Sequence, residues 1–458
     1  MIIEWYWTIA LLFGAIIALM SAGLPVGVAF LGVNIAAATA FMGGSGGLFE
    51  RLALGVTQLL SNGMASITIF AIIPVPMFLL MGEFFFHFGL ADRMFNAVDR
   101  LTGRLPARLS YVTVAGGTAF ATLSGSSMGA TALMGTLMVP EMTKRGYKSH
   151  MSIGPILGTG GLAMIIPPSA LAVLLGTLAQ LDIGKLLIAG IVPGLVLAVM
   201  YVVLIYIRTR IDPGAAPAYD VPIISRTAKL RLIVTDIVPM MGVVVLVILM
   251  IMTGWATPSE SAAFGCFFVL LLAFAYRSFK WRAFWKAAEG AARVTVIAFL
   301  IIFGSATFSQ ILAFSGASAG LIAWATGFPV SELTMLLIMF GVLLVLGCFM
   351  DQLSMMLLTV PVFFPLVKTE LSFGLPEEVR LIWFGVIMLL ALEISLTTPP
   401  FGLLLFVMKG VSPPGTSMAE IYRAGLPFMG CAVLLVVLLI IFPKIASWLP
   451  FLGTVPGG

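Results

Sequence analysis

The chain has 458 residues, of which 61% are apolar and only 9% charged, against roughly 25% charged in soluble proteins. So few charges cannot cover a water-facing body, which excludes a soluble enzyme and leaves a polytopic protein of the lipid bilayer. The net charge of +5 sits in short basic clusters between apolar runs, as in cytoplasmic loops, and does not form a nucleic-acid footprint.

The apolar runs are continuous rather than alternating, so they predict spanning α-helices and not an outer-membrane barrel. The N-terminus has no basic stretch ahead of Trp5-Tyr6-Trp7 and reads as a first span with an aromatic belt, not as a cleaved signal peptide. Cys266, Cys348 and Cys431 lie far apart within apolar runs and suggest neither a disulfide framework nor a metal site. A spanning helix needs about 20 apolar residues. That length predicts spans near 5–22, 24–44, 66–88, 151–180, 185–207, 235–253, 261–276, 294–314, 381–409 and 425–447. Two further stretches, 109–142 and 333–367, are long enough for two helices each and have polar or glycine-containing centres.

Basic clusters orient these elements. Arg93, Arg100, Arg104 and Arg108 precede the first odd stretch, and Lys144, Arg145 and Lys148 follow it. Both flanks read as cytoplasmic, so the stretch enters and leaves by one face as a re-entrant hairpin with its tip at Ser124-Gly125-Ser126-Ser127. Counting onward through the basic loops at 208–231 and 277–293 brings the second hairpin in from the outside, and both termini then fall outside. Val139-Pro140 and Pro167-Pro168 recur as Val360-Pro361 and Pro399-Pro400, 221 and 232 residues on, and Ile67-Thr68-Ile69 resembles Val294-Thr295-Val296. The shared order predicts an all-α fold of two inverted repeats, a transporter pattern. The expected organisation is scaffold spans in 1–65, a first repeat in 66–207, linking spans in 208–293 and a second repeat in 294–458.

Four segments carry chemistry. At the tip Ser124-Gly125-Ser126-Ser127, free carbonyls suit a cation, free N–H groups suit a carboxylate, and small residues also suit close helix packing. In Gly158 to Ser169, Pro167 and Pro168 remove two backbone donors and free the carbonyls around Gly161 to Ile165, and a simple kink is the plainer reading of one such pair taken alone. Ser395-Leu396-Thr397-Thr398-Pro399-Pro400 repeats the device and adds two hydroxyls. Neutral oxygens suit Na+ or K+ better than Mg2+. In the second hairpin turn, Asp351 is either functional or an N-cap. Glu393 could pair, carry a proton or only brace the broken helix, while Glu83 and His87 share a helix face as interfacial or packing residues. There is no ATP-binding P-loop and no zinc motif. The hairpins hold no Arg or Lys except Lys368 just past the second, so an anion would be held by helix ends and hydroxyls.

The segments SGSSMGATALMGTLMVPEMTKRGY, GGLAMIIPPSALAVLLG followed by IGKLLIAGIVPGL, GCFMDQ and SLTTPPFG together resemble the large membrane subunit of the TRAP (tripartite ATP-independent periplasmic) transporters. The resemblance covers nearly the whole chain. It implies an elevator-type importer of organic acids in a bacterial inner membrane, driven by Na+. It also implies two partners, a small four-helix membrane subunit expected as a separate chain and a periplasmic substrate-binding protein. Carried over, Ser124, Ser126 and Ser127 with Gly161, Ile165 and Pro167 would form one Na+ site, and Gly347, Asp351, Thr397, Thr398 and Pro399 the other. Substrate would lie between the hairpin tips and the breaks, at Ser124, Gly125, Ser126, Ser127, Pro168, Thr398 and Pro400. Met128, Gly129, Ala391-Leu392 and Ser395 depart from the family pattern and bear on substrate choice or the second cation site. The rival transport reading is a proton-coupled exchanger that needs no binding protein and leans on Asp351 and Glu393. A channel fits poorly with two blind-ended hairpins, and an intramembrane enzyme lacks a nucleophile with a base.

Overall fold

The computed structural model describes residues 4–22, 24, 26–42, 46–68, 73–102, 105–124, 127–217, 225–326, 331–347, 352–398 and 402–452. All regular structure among them is helical, as hydrocarbon requires of a chain that must satisfy its own backbone. The first helices are α1 (Trp5–Ser21), α2 (Val26–Phe41), α3 (Leu48–Ile67), α4 (Pro74–His87) and α5 (Leu90–Leu101). They are followed by α6 (Arg108–Ser124), α7 (Ser127–Lys144), α8 (Ser149–Ile165), α9 (Ala170–Leu178) and α10 (Ile183–Ile211). A second series runs α11 (Arg226–Leu232), a π-helical turn at Ile233–Ile237, α12 (Val238–Met252), α13 (Pro258–Ala275), α14 (Trp281–Phe314) and α15 (Ala317–Thr326). It closes with α16 (Glu332–Gly347), α17 (Gln352–Glu370), α18 (Glu377–Leu396), α19 (Leu403–Val411), α20 (Met418–Ile441) and a last turn, α21 (Lys444–Ser447).

Among the described residues five helical stretches are long and apolar enough to cross a bilayer: α10, Arg226–Met252, α13, α18 and α20. Two pairs meet the same test but are bent, α4 with α5 by 64° and α8 with α9 by 43°. The second bend is the predicted break of span 151–180. Pro167 and Pro168 have no N–H to give the carbonyls of Ala163 and Met164. The Ser169 hydroxyl donates to the Met164 carbonyl at 2.7 Å and accepts from the Ala172 N–H, capping α9. The first bend turns on Gly89, whose φ of +70° lies where a side chain would be strained.

Five helices differ from the sequence expectation. No span was expected between 44 and 66, yet α3 occupies it, and the span placed at 66–88 is helical from Pro74. Glu50, Arg51, Gln58 and Asn62 interrupt the apolar run of α3, and it packs instead through one face bearing Gly55, Leu59 and Gly63. Helix α5 is likewise amphipathic, burying Leu90, Ala91, Met94, Phe95 and Ala97 and presenting Asp92, Arg93, Asn96, Asp99 and Arg100 on the other side. Its Arg93 pairs with Asp236 in the π-turn and lies 4.1 Å over the Tyr276 ring. Helix α15 was also unforeseen, and α14 begins well before residue 294.

Packing partners recur ten helices on. α2 lies on α3, and α12 on α13; α3 lies on α14, and α13 on α4. α6 and α7 both pack on α8, and α16 and α17 both pack on α18. The crossings also match, since α19 rests on α7 and α9 on α17, while α20 rests on α8 and α10 on α18. Helix α8 is buried from Met151 through Ile165, and α18 from Ile382 through Leu396. A helix apolar all round belongs inside, and these two form the centre of the main core. A smaller cluster of α1, α2, α3 and α14 stands apart around Phe30 and Phe308.

Candidate transport site

Helix α8 is approached at backbone distance on several sides because it carries glycines where neighbours arrive. Gly154 and Gly158 receive the Phe428 ring of α20, and Gly160 receives the Thr131 hydroxyl of α7. Gly161, the next residue, receives the Glu393 carboxylate of α18; a methyl group added there would occupy the carboxylate's place. From the other side, Thr159 lies against Gly117 of α6 and its hydroxyl donates to the Pro155 carbonyl at 2.8 Å.

Three of these polar groups are buried without a partner among the described residues: Ser127 Oγ, Thr131 Oγ1 and Glu393 Oε2. Ser127 and Thr131 are one turn apart on the same face of α7, at the first residues after the hairpin break. Buried polar atoms are normally hydrogen-bonded to protein, water or an ion, so three unpartnered ones around the middle of one helix make it the candidate site. No three His, Cys, Asp or Glu side chains gather anywhere among the described residues.

The second half repeats the pattern with different atoms. Ser395 lies against Gly347, the last residue of α16, and its hydroxyl donates to the Leu392 carbonyl at 2.7 Å. Thr397 and Thr398 both donate to the Ile394 carbonyl, at 2.9 Å and 2.7 Å, which keeps their oxygen lone pairs available. Gln352 at the start of α17 donates to Met164 Sδ of α8 at 3.3 Å, joining the second hairpin to the first broken helix.

Of the residues singled out from sequence, Ser127 and Gly161 stand around α8, while Gly347, Thr397 and Thr398 stand at the end of α18. The Ile165 carbonyl is directed at Gly190 of α10, and the Pro167-Pro168 elbow faces Leu187, Ile188, Val247, Ile248 and Ile251, an apolar surround. Ser124 ends α6. Gly125, Ser126, Asp351, Pro399 and Pro400 lie outside the described residues. His87 Nε2 lies 3.2 Å from Glu83 Oε2, and Glu83 lies against Gly290 of α14, which fits the packing reading. Thr131 and Gly160 fall within the chemistry-bearing segments 123–131 and 158–169, but the sequence assigns neither a role in the site. The four-residue spacing from Ser127 was the available signal for Thr131.

The model of the tripartite ATP-independent periplasmic transporter, DctM component, matches residues 13–445. The chain belongs to the DctM family. As a DctM permease it is a polytopic inner-membrane subunit of a secondary transporter and not an enzyme. It is 29% identical over 384 residues to the C4-dicarboxylate TRAP transporter large permease protein of Pseudomonas aeruginosa, covering 83% of this chain and 86% of that one. It is 31% identical over 408 residues to the ectoine/5-hydroxyectoine large permease protein of Ruegeria pomeroyi, covering 88% and 91%. The isethionate permease protein DctMQ of Oleidesulfovibrio alaskensis matches 94% of this chain at 29% identity, but the match spans only 64% of that longer protein. Among solved structures, the YdaH transporter of Alcanivorax borkumensis superposes with a TM-score of 0.57 at 13% identity, covering 86% of this chain and 90% of that one. That likeness concerns the fold alone.

Proposed function

We propose that this DctM permease is the large transmembrane subunit of a tripartite importer that moves a small organic acid inward on a Na+ gradient by an elevator movement. The observation that supports it most is the pair of buried, unpartnered hydroxyls, Ser127 Oγ and Thr131 Oγ1, set beside the glycines of broken helix α8. These atoms suit a small monovalent cation, which is bound by hard oxygens and needs no cluster of carboxylates. Ser124, Ser126, Ser127 and Gly161 would hold one Na+, with the carbonyls ahead of the Pro167-Pro168 elbow. Gly347, Asp351, Thr397, Thr398 and Pro399 would hold the other. Bound Na+ would supply the positive charge that the hairpins lack, so the acid's carboxylate could settle on hairpin N–H groups and on the hydroxyls of Ser126 and Thr398.

The matched packing of α1–α10 and α11–α20 supports two copies of one unit, with α11–α13 as counterparts of α1–α3, and the basic clusters flanking the first hairpin support their opposite orientation. The frame would then be α1–α4 with α11–α14, and the moving body α6–α9 with α16–α19. Helices α5 and α15 would be the arms between them. A small four-helix subunit would extend the frame, and a periplasmic binding protein would deliver the acid.

Proteoliposomes with the chain, its small subunit and an acid-loaded binding protein test this reading. An inward Na+ gradient is expected to drive uptake, and a proton gradient alone is not. Uptake driven by protons without the binding protein would establish the rival exchanger instead.

A further inference from the structure

Glu393 has no role in the two cation sites above. It is 4% exposed, its Oε2 is buried without a partner, and no basic side chain pairs with it among the described residues. An ionised carboxylate is among the costliest groups to bury alone, so a buried Glu393 either holds a proton or is balanced by a bound cation. Its position is fixed from both sides: α18 holds it in the core, and Gly161 of α8 gives it room that any side chain there would take. The neighbouring Gly160 does the same for Thr131, whose hydroxyl is also unpaired. One turn on, the Ala163 carbonyl has Pro167 at its i+4 position and therefore no helical donor.

We propose that Glu393 is the negatively charged member of a Na+ site at the middle of α8, with neutral oxygens from the first hairpin and from α8 as its other ligands. One carboxylate and one monovalent cation leave no net charge, the condition a low-dielectric interior favours. A divalent ion would recruit more carboxylates than this helix turn offers. Because Glu393 comes from the second half and the hydroxyls from the first, the cation would tie the two halves of the moving body together. This inference rests on the Na+ reading above and deepens it.

The test is thermal unfolding of the purified full-length chain as NaCl replaces choline chloride at constant ionic strength. Wild type is expected to gain Tm with Na+ in a saturable way, as a ligand that binds only the folded state requires. Glu393→Gln is expected to be at least as stable as wild type without Na+, and to need at least about tenfold more Na+ for half its gain, a loss of ~1.4 kcal/mol in binding. Glu393→Asp keeps the charge on a shorter arm and is expected to keep a Na+-dependent gain at a shifted midpoint; it carries the test should the Gln variant fail to fold. An unchanged Na+ midpoint in the Gln variant, or in the Asp variant where Gln does not fold, would overturn the role of Glu393 and leave the Na+ reading standing. A wild type that gains nothing from Na+ would overturn the Na+ reading itself. Stabilisation of wild type by falling pH in place of Na+ would assign the counter-charge to a proton and overturn the proposal.

Discussion

Helices α8 and α18 hold equivalent places and are built in opposite ways. Each is buried on every side, comes after a helical hairpin and precedes a Pro-Pro pair. Helix α8 carries Gly154, Gly158, Gly160 and Gly161 and lets neighbours reach its backbone, whereas α18 has one glycine, Gly385, and fills space with Trp383, Phe384 and Met388. Where α18 meets a glycine, it is the side that projects: Glu393 at Gly161 and Ser395 at Gly347. One central helix is a set of sockets and the other a set of plugs. A duplicated unit can thus yield two unlike polar sites, because the side chains that fill the sockets differ.

Removing a plug is expected to have the largest effect. Phe428 is 1% exposed and fills the sockets at Gly154 and Gly158, so Phe428→Ala is expected to cost about 3–5 kcal/mol of stability by thermal or denaturant unfolding. Filling a socket comes next. Gly161→Ala displaces the Glu393 carboxylate and is expected to cost about 1–3 kcal/mol. Gly242→Ala on α12, where nothing lies within 4 Å of an added methyl, is expected to be neutral or to stabilise by up to about 1 kcal/mol. Equal effects at the two glycines would dissolve the contrast between sockets and ordinary helix surface.

Thr131→Val should separate binding from packing. The hydroxyl has no protein partner among the described residues, so losing it is expected to change stability by less than about 1 kcal/mol while weakening the Na+-dependent gain in Tm. A variant that unfolds more easily yet keeps the wild-type Na+ midpoint would make Thr131 a packing residue. The smallest effect belongs outside the bilayer, at the exposed pair of Lys148 with Asp212, 2.5 Å apart. The hydrogen bond from Lys148, then its charge, holds the Asp212 carboxyl below its ordinary range. A depressed acid contributes its full share above the unfolded aspartate range and loses it as pH falls through the folded value. Asp212→Asn is therefore expected to cost a little stability near neutrality and none in acid, so that the two Tm curves converge as pH falls.

Features that rest on local chemistry were legible in the sequence. Two successive prolines without N–H groups break α8 wherever they are placed, and Ser169 caps the next helix, α9. Helix α6 ends at Ser124 and α7 starts at Ser127, on either side of the expected tip. Helices α3, α5 and α15 escaped because an apolar-length criterion sees only long helices that are apolar all round. α3 and α5 are two-faced, and α15 is only ten residues long. Thr131 and the place of Glu393 escaped for another reason. Their neighbours at Gly160 and Gly161 come from other helices, and no spacing along the chain reports which glycine meets which side chain.

The central claim is that the two halves enter the bilayer from opposite faces. The most direct measurement is labelling of single cysteines by a membrane-impermeant thiol reagent, in a chain freed of Cys266, Cys348 and Cys431. Positions Arg100 and Lys144, flanking the first hairpin, are expected to label together from the cytoplasmic side. Positions Ser331 and Thr369, flanking the second, are expected to label together from the opposite side. Labelling that split either pair across the membrane, or placed all four positions on one face, would contradict the inversion.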